Sequence, residues 1–417
     1  MTSFKSCAIL FLLLIILPIA PPLSAQSRPQ GLWDAAVVVG PAEIPFRFEI
    51  AKQGAGLQGF FFEGQKKIGS TSGKYTDGKL QFDYEGLNTT LSATFDGDKL
   101  EGSYRNNRKN GREYPFHASR HSQSANKASS KPPQIAGDWE MILVGPDNAA
   151  TKDSRIALTW KLYLRQNGSD VTGSILRVDG DTGTLTGRWQ GDSLALSHFA
   201  GERPVLLEAK LQPDGTLDIV LNKQNKYLAA RSSQARAKAI PEPADPSKYT
   251  TVKDPTEPFH FSFPDIDGKL ISDTDPQFKN KVVILSIGGT WCPNCRDEAP
   301  FLVNLYKRFH ARGLEIVGLN FEATGDPTED QPRIQSFVNE FSVPYPVLYA
   351  GAIPDVQEKL PQIVNFGAYP TTIYIGRDAR VAGIHAGFAS AAAGEAHIAL
   401  QHQVDRLVER LLADTAK

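Results

Sequence analysis

Two cysteines three residues apart, Cys292 and Cys295, are the residues in this sequence best suited to chemistry. A Cys-x-x-Cys pair can form and break a disulfide, or supply half of a zinc site. Zinc needs two further ligands, and the eight histidines show no HxH or HExxH spacing, so neither a metal nor another cofactor is expected. The pair lies where a buried strand, Lys281 to Ile287, is predicted to end and an amphipathic helix through Phe309 to begin. A helix N-terminus offers unpaired N–H groups and positive potential, and both favour thiolate over thiol at Cys292. Cys295, one turn further in, is expected to be the more buried, resolving thiol. Pro293 fits the first helical position, where its missing N–H costs nothing.

The third cysteine leaves this argument. Residues 1–25 read as a secretory signal peptide, with Lys5 ahead of an apolar stretch from Ala8 to Ala20 and a small-residue cleavage site at Ser24-Ala25. That stretch is short for a membrane span of about 20 residues. The alternative is an uncleaved anchor. Cleavage removes Cys7 and leaves a periplasmic protein with a single cysteine pair.

The elements that must position the pair occupy a chain of 417 residues, long enough for two or three domains. Its 41% hydrophobic content excludes wholesale disorder, and 22% charged residues exclude a multispanning membrane protein. A net charge of −1 argues against nucleic acid as a partner. Residues 31–120 and 137–232 carry matching landmarks: Gly31-Leu32-Trp33-Asp34 against Gly137-Asp138-Trp139-Glu140, then Gly59, Gly73, Tyr75 and Leu80 against Gly173, Gly187, Trp189 and Leu194. They read as tandem all-β units, each a small antiparallel barrel or sandwich. Turn pairs such as Asp77-Gly78 and Asn167-Gly168 punctuate them. Gly54 to Gly59 has the form GxGxxG, but Phe60-Phe61-Phe62 follows as a strand, so it reads as a hairpin turn. The acidic residues Asp179 and Asp181 also read as turn residues. Linkers are expected at 121–134 and 233–256, both as exposed connections.

From residue 257 to 415 strands and helices alternate, an α/β pattern. Strands are expected at 314–320, 345–349, 371–375 and 381–385, and helices at 333–341, 355–364 and 393–413. The last is apolar at Ile398, Val404, Leu407, Leu411 and Leu412.

The run Gly289-Thr290-Trp291-Cys292-Pro293-Asn294-Cys295-Arg296-Asp297-Glu298-Ala299-Pro300 resembles the thioredoxin-fold, TlpA/ResA type of thiol-disulfide oxidoreductase. Phe263 to Lys269 resembles that family's N-terminal hairpin, and Tyr369-Pro370-Thr371-Thr372 its cis-proline loop. The resemblance implies a disulfide between Cys292 and Cys295 and a cis Pro370 facing it. It also implies a substrate-binding side made by Trp291, Pro293, Tyr369 and Pro370. Glu298 matches a glutamate near the thiols, able to take the proton of Cys295. Ordinary thioredoxins place a buried aspartate six residues before the first cysteine; here Ser286 stands there, which favours Glu298 as the base. The order Pro293-Asn294 departs from the commoner form with proline second, and this pair tunes the redox potential. The implied partners are protein disulfide or thiol substrates and a membrane or periplasmic electron donor. Two alternatives stand beside this reading. One is a thiol-dependent peroxidase, against which Gly289 counts, because peroxiredoxins carry threonine three residues before the reactive cysteine. The other is a binding protein whose β units take an unknown ligand.

Overall fold

The computed structural model describes residues 28–54, 56–108, 111–122, 132–144 and 159–414. The expected signal peptide with Cys7, and most of the 121–134 linker, lie outside the described residues.

The first unit is one antiparallel meander. Its strands are β1 (Gly31–Val39), β2 (Ala42–Gln53), β3 (Gly56–Glu63), β4 (Lys66–Gly69), β5 (Ser72–Thr76), β6 (Lys79–Tyr84), β7 (Thr89–Asp96), β8 (Lys99–Asn106) and β9 (Glu113–Arg120). They are ordered β4-β3-β2-β1-β9-β8-β7-β6-β5. Alternation sets the two faces: in β6, Leu80, Phe82 and Tyr84 are buried while Lys79 and Gln81 are exposed. The buried face carries Trp33, Phe48, Phe61, Phe82 and Phe116, which fill the concave side. Ser70 extends the β3–β4 pairing by one residue, its N–H donating to the Gly59 carbonyl at 2.8 Å and its Oγ accepting from Gly59 N at 3.1 Å, and the edge strands β4 and β5 are not paired with each other, so the sheet stays open.

The second unit closes fully. Strands β10 (Gly137–Leu143), β11 (Thr159–Asn167), β12 (Asp170–Arg177), the short β13 (Gly180–Asp181), β14 (Leu185–Gln190), β15 (Ser193–His198), β16 (Val205–Leu211), β17 (Leu217–Leu221) and β18 (Asn225–Arg231) follow in order. Because β11 pairs with both β10 and β12, and β12 with β14, the sheet becomes an eight-stranded antiparallel barrel around a packed apolar core. The same tryptophan device opens both units. Trp33 Nε1 donates to the Pro29 carbonyl and Trp139 Nε1 to the Ile135 carbonyl. The last strand lays Arg120 over Trp33 at 4.2 Å and Arg231 over Trp139 at 4.4 Å.

Residues 233–256 connect the second unit to the C-terminal domain and are mostly exposed, with a few anchored positions. Ala235 and Ile240 are buried with Ala230, and helix α1 (Pro246–Tyr249), capped by Asp245, leads into β19 (Thr251–Val252). The apolar residues spaced through this proline-rich run find partners, which holds it against the body of the protein.

The C-terminal domain begins with hairpin β20 (Ser262–Pro264) and β21 (Leu270–Ser272). Its central elements are β22 (Val282–Gly288), α2 (Pro293–Phe309), β23 (Leu314–Glu322), α3 (Pro327–Phe341), β24 (Val347–Ala352), α4 (Val356–Lys359), β25 (Ile363–Val364), β26 (Thr371–Ile375), β27 (Val381–Ala386) and α5 (Glu395–Ala413). The five-stranded sheet is ordered β24-β23-β22-β26-β27, parallel among the first three strands and antiparallel thereafter. Strand β22 is buried throughout. Val282 and Ile284 pack with the helical side, whereas Val283, Leu285 and Ile287 pack with Phe259, Phe261, Phe263 and Ile271. The helix expected over 355–364 stops at Lys359, because Pro361 bars continuation; Ile363 and Val364 pair with β19 instead. Helix α3 starts six residues earlier than expected, where Asp326 caps it by accepting from Thr328 N at 2.9 Å. Ile398, expected on the buried face of α5, is 52% exposed, and Leu400, Val404, Val408 and Leu411 make that face. Among the described residues, no helix is long and apolar enough to cross a membrane.

Candidate active site

Strand β22 ends at Gly288, and the chain turns through Gly289, Thr290 and Trp291 before α2 begins at Pro293. Thr290 anchors this turn: its N–H and Oγ1 donate to the two oxygens of the Glu322 carboxylate at 2.8 and 2.7 Å. Glu322 sits buried at the end of β23, receives a further bond from Asn320, and is pushed above the ordinary carboxyl range by burial. Nothing in local sequence spacing singles out Glu322; its only signal is a glutamate closing an otherwise apolar strand.

Cys292 is the N-cap of α2, with extended backbone angles (φ −92°, ψ 115°), and its sulfur accepts from Cys295 N at 3.1 Å. This is the place a serine or aspartate oxygen usually fills. Cys292 and Cys295 are joined as a disulfide. Both are enclosed, Cys292 at 2% and Cys295 at 6% exposure. Trp291 brackets the pair: its Nε1 donates to the Phe321 carbonyl at 2.8 Å, and its ring meets Tyr369 edge-on at 5.0 Å. The Tyr369-Pro370 peptide is cis. The Pro370 carbonyl accepts from Gly387 N at 2.6 Å, and Tyr369 Oη donates to the Ile353 carbonyl at 3.0 Å.

Glu298, on the first turns of α2, is 4% exposed. Its carboxyl accepts from Ser286 Oγ on β22 at 2.8 Å and from Thr372 Oγ1 on β26 at 2.6 Å. Burial raises its pKa to about 7, with those two hydrogen bonds opposing the rise. A carboxyl group poised there can accept and return a proton near neutral pH.

Both β units reach this site, an approach that no motif or spacing announces. From the first unit, Arg108 Nη2 donates to the Trp291 carbonyl at 3.2 Å, and the Gly86 carbonyl accepts from Arg296 at 2.9 Å. From the second, the turn after β12 lies on the loops around the disulfide. Gly387, with φ 72°, packs so closely on Val178, Asp179 and Gly180 that an added Cβ would collide with their backbone. Val178 packs with Ala368 and Ala386. Asp181, expected only as a turn residue, is fully buried and accepts from Ser390 N at 2.5 Å and Ser390 Oγ at 3.0 Å. Asn294, between the cysteines, donates to the Asp179 carbonyl at 2.6 Å and accepts from Arg203 Nη1 at 2.8 Å. Among the described residues, no cluster of three or more His, Cys, Asp or Glu is arranged to hold a metal ion.

The strand order, with the disulfide at the start of α2 and the cis proline ahead of β26, makes the C-terminal domain thioredoxin-like. Residues 255–384 match the AhpC/TSA family. The chain is 31% identical over 122 residues to the thiol-disulfide oxidoreductase ResA of Bacillus thuringiensis (strain Al Hakam), an alignment covering 29% of this chain and 63% of that protein. ResA of Bacillus subtilis (strain 168) is 30% identical over 122 residues, 29% of this chain and 61% of the relative. The match thus spans less than two thirds of these relatives. Similar solved structures include a thiol:disulfide interchange protein from Chlorobium tepidum TLS, 26% identical with a TM-score of 0.30, covering 39% of this chain and 100% of that one. Another is a DsbF homologue from Corynebacterium diphtheriae, 20% identical with a TM-score of 0.31, covering 40% and 96%.

Proposed function

We propose that the protein is an extracytoplasmic thiol-disulfide oxidoreductase that exchanges disulfides with protein substrates through Cys292-Pro293-Asn294-Cys295. The observation that carries this reading is the disulfide capping α2 beside a buried carboxyl group poised near neutrality. The location rests on the signal-like residues 1–25.

In the reducing direction the Cys292 thiolate attacks one sulfur of a substrate disulfide. A mixed disulfide forms and the first substrate sulfur leaves as a thiolate, which takes up a proton. Ionised Glu298 accepts the proton of the Cys295 thiol, whose sulfur then attacks Cys292 Sγ. The second substrate sulfur leaves and is protonated, so the substrate gains two electrons and the Cys292–Cys295 disulfide is restored. A dithiol electron donor outside the cytosol reduces that disulfide again.

Cys292→Ser is expected to abolish insulin reduction, and Cys295→Ser to accumulate mixed disulfides visible by mass spectrometry. Full activity in both variants would overturn the reading. Consumption of hydrogen peroxide at rates exceeding insulin reduction would favour the peroxidase alternative instead.

A further inference from the structure

The residue between the cysteines is held from outside its own domain. Both ends of the Asn294 carboxamide are engaged by the second β unit: the nitrogen donates to the Asp179 carbonyl at 2.6 Å, and the oxygen accepts from Arg203 at 2.8 Å. Arg203 comes from the loop between β15 and β16, 91 residues from Asn294 in sequence. The same Nη1 reaches Asp297 Oδ2 at 2.9 Å, one turn further along α2, and the Asp181 carbonyl at 3.2 Å. Arg203 is held at φ 52°, a left-handed conformation that costs a non-glycine residue on the order of 1 kcal/mol or more. Burial opposes its charge, but Asp297, Glu202, Glu63 and Asp181 around it outweigh burial and keep it protonated.

We propose that Arg203 is a positioning residue of the redox centre, and that through Asn294 it lets the second β unit set how readily the Cys292–Cys295 disulfide is reduced. The intervening pair of a Cys-x-x-Cys motif tunes the potential because it fixes the N–H groups and the local field that stabilise the first thiolate. Here that pair is not free to relax. Clamping Asn294 fixes the turn whose Cys295 N–H points at Cys292 Sγ. The guanidinium adds a positive charge at the start of α2, where the helix dipole already favours an anion. It also offsets the negative charge of Asp297, Glu202, Glu63 and Asp181, which surround it near the start of α2. Both effects stabilise the reduced, thiolate form. Losing Arg203 therefore raises the Cys292 thiol pKa and makes the disulfide harder to reduce.

This inference rests on the reading of Cys292 and Cys295 as the exchange centre, but its test does not need a protein substrate. The full chain is equilibrated with glutathione buffers to measure the reduction potential, and the reduced protein is titrated by thiolate absorbance. Arg203→Gln is expected to lower the equilibrium constant for reduction about tenfold, close to 30 mV, and to shift the thiol titration upward. Arg203→Lys, which keeps the charge but not the forked geometry, is expected to restore part of both. Asn294→Ala buries no unpaired charge and serves if Arg203→Gln fails to fold; it is expected to shift the potential in the same direction. In the double variant the two effects should be less than additive. An unchanged potential and titration in Arg203→Gln, or in Asn294→Ala where Arg203→Gln fails to fold, would reduce Arg203 to a structural ion pair and overturn the proposal. Failure of the broader reading looks different: Cys292→Ser would then retain insulin reduction.

Discussion

At the scale of single residues, Glu298 makes the sharpest claim. Its carboxyl group lies near 4.5 ordinarily and at about 7 in the folded chain. Between those values the folded state holds a proton that the unfolded state has lost. Its contribution to stability is therefore greatest below pH 4.5 and falls away as pH rises through 7, by on the order of 3 kcal/mol. Glu298→Gln carries no ionisation cost, so its unfolding midpoint is expected to exceed that of the native chain at pH 8 and to match it at pH 5. A difference independent of pH would remove Glu298 from the proton-transfer scheme. Cys292, Cys295, Glu298 and Pro370 were legible in the sequence because a short motif carries each of them. Thr290 and Glu322 were not, since their pairing joins a loop to a strand end 32 residues away, with no spacing rule to announce it.

At the scale of elements, alternation of apolar and polar residues was enough to predict strands such as β6 and β7. It could not say which unit would close. Closure of the second unit depends on β11 finding both β10 and β12, a long-range register that a two-residue periodicity does not encode. Helix ends were misread for a similar reason: Asp326 and Pro361 are decisive only once their neighbours are known. The barrel core offers its own test. Trp139 is buried, donates to the Ile135 carbonyl and lies under Arg231. Trp139→Ala is expected to cost about 3–5 kcal/mol of barrel stability, read as a lowered urea midpoint in the β-sheet circular dichroism signal. An unaltered midpoint would show that the barrel does not depend on this packing.

At the scale of the whole molecule, the redox domain is covered. Arg108, Gly86, the turn at Val178–Gly180 and Arg203 pack on the start of α2 and the loops beside it, and Cys292 is only 2% exposed. For the proposed exchange with a protein, the expectation is that the domain parts from the β units. Asp181 is a main tie, holding Ser390 through its N–H and its hydroxyl. Removing a buried acceptor leaves donors unpaired at about 1–3 kcal/mol each, and 1.4 kcal/mol is a factor of about ten in population. Asp181→Ala is thus expected to speed iodoacetamide alkylation of the reduced protein about tenfold or more. An equal rate would mean that this contact does not limit access. None of this was legible beforehand, because the contacts join residues 91 to 210 positions apart and Asp179 and Asp181 had the look of ordinary turn formers. The order of the chain adds a temporal consequence. Domains generally fold from the N-terminus as the polypeptide emerges, so both β units are complete before residue 292 follows. The newborn thiols meet a finished enclosure as their own domain forms, which shortens the interval in which they can be captured by neighbouring chains.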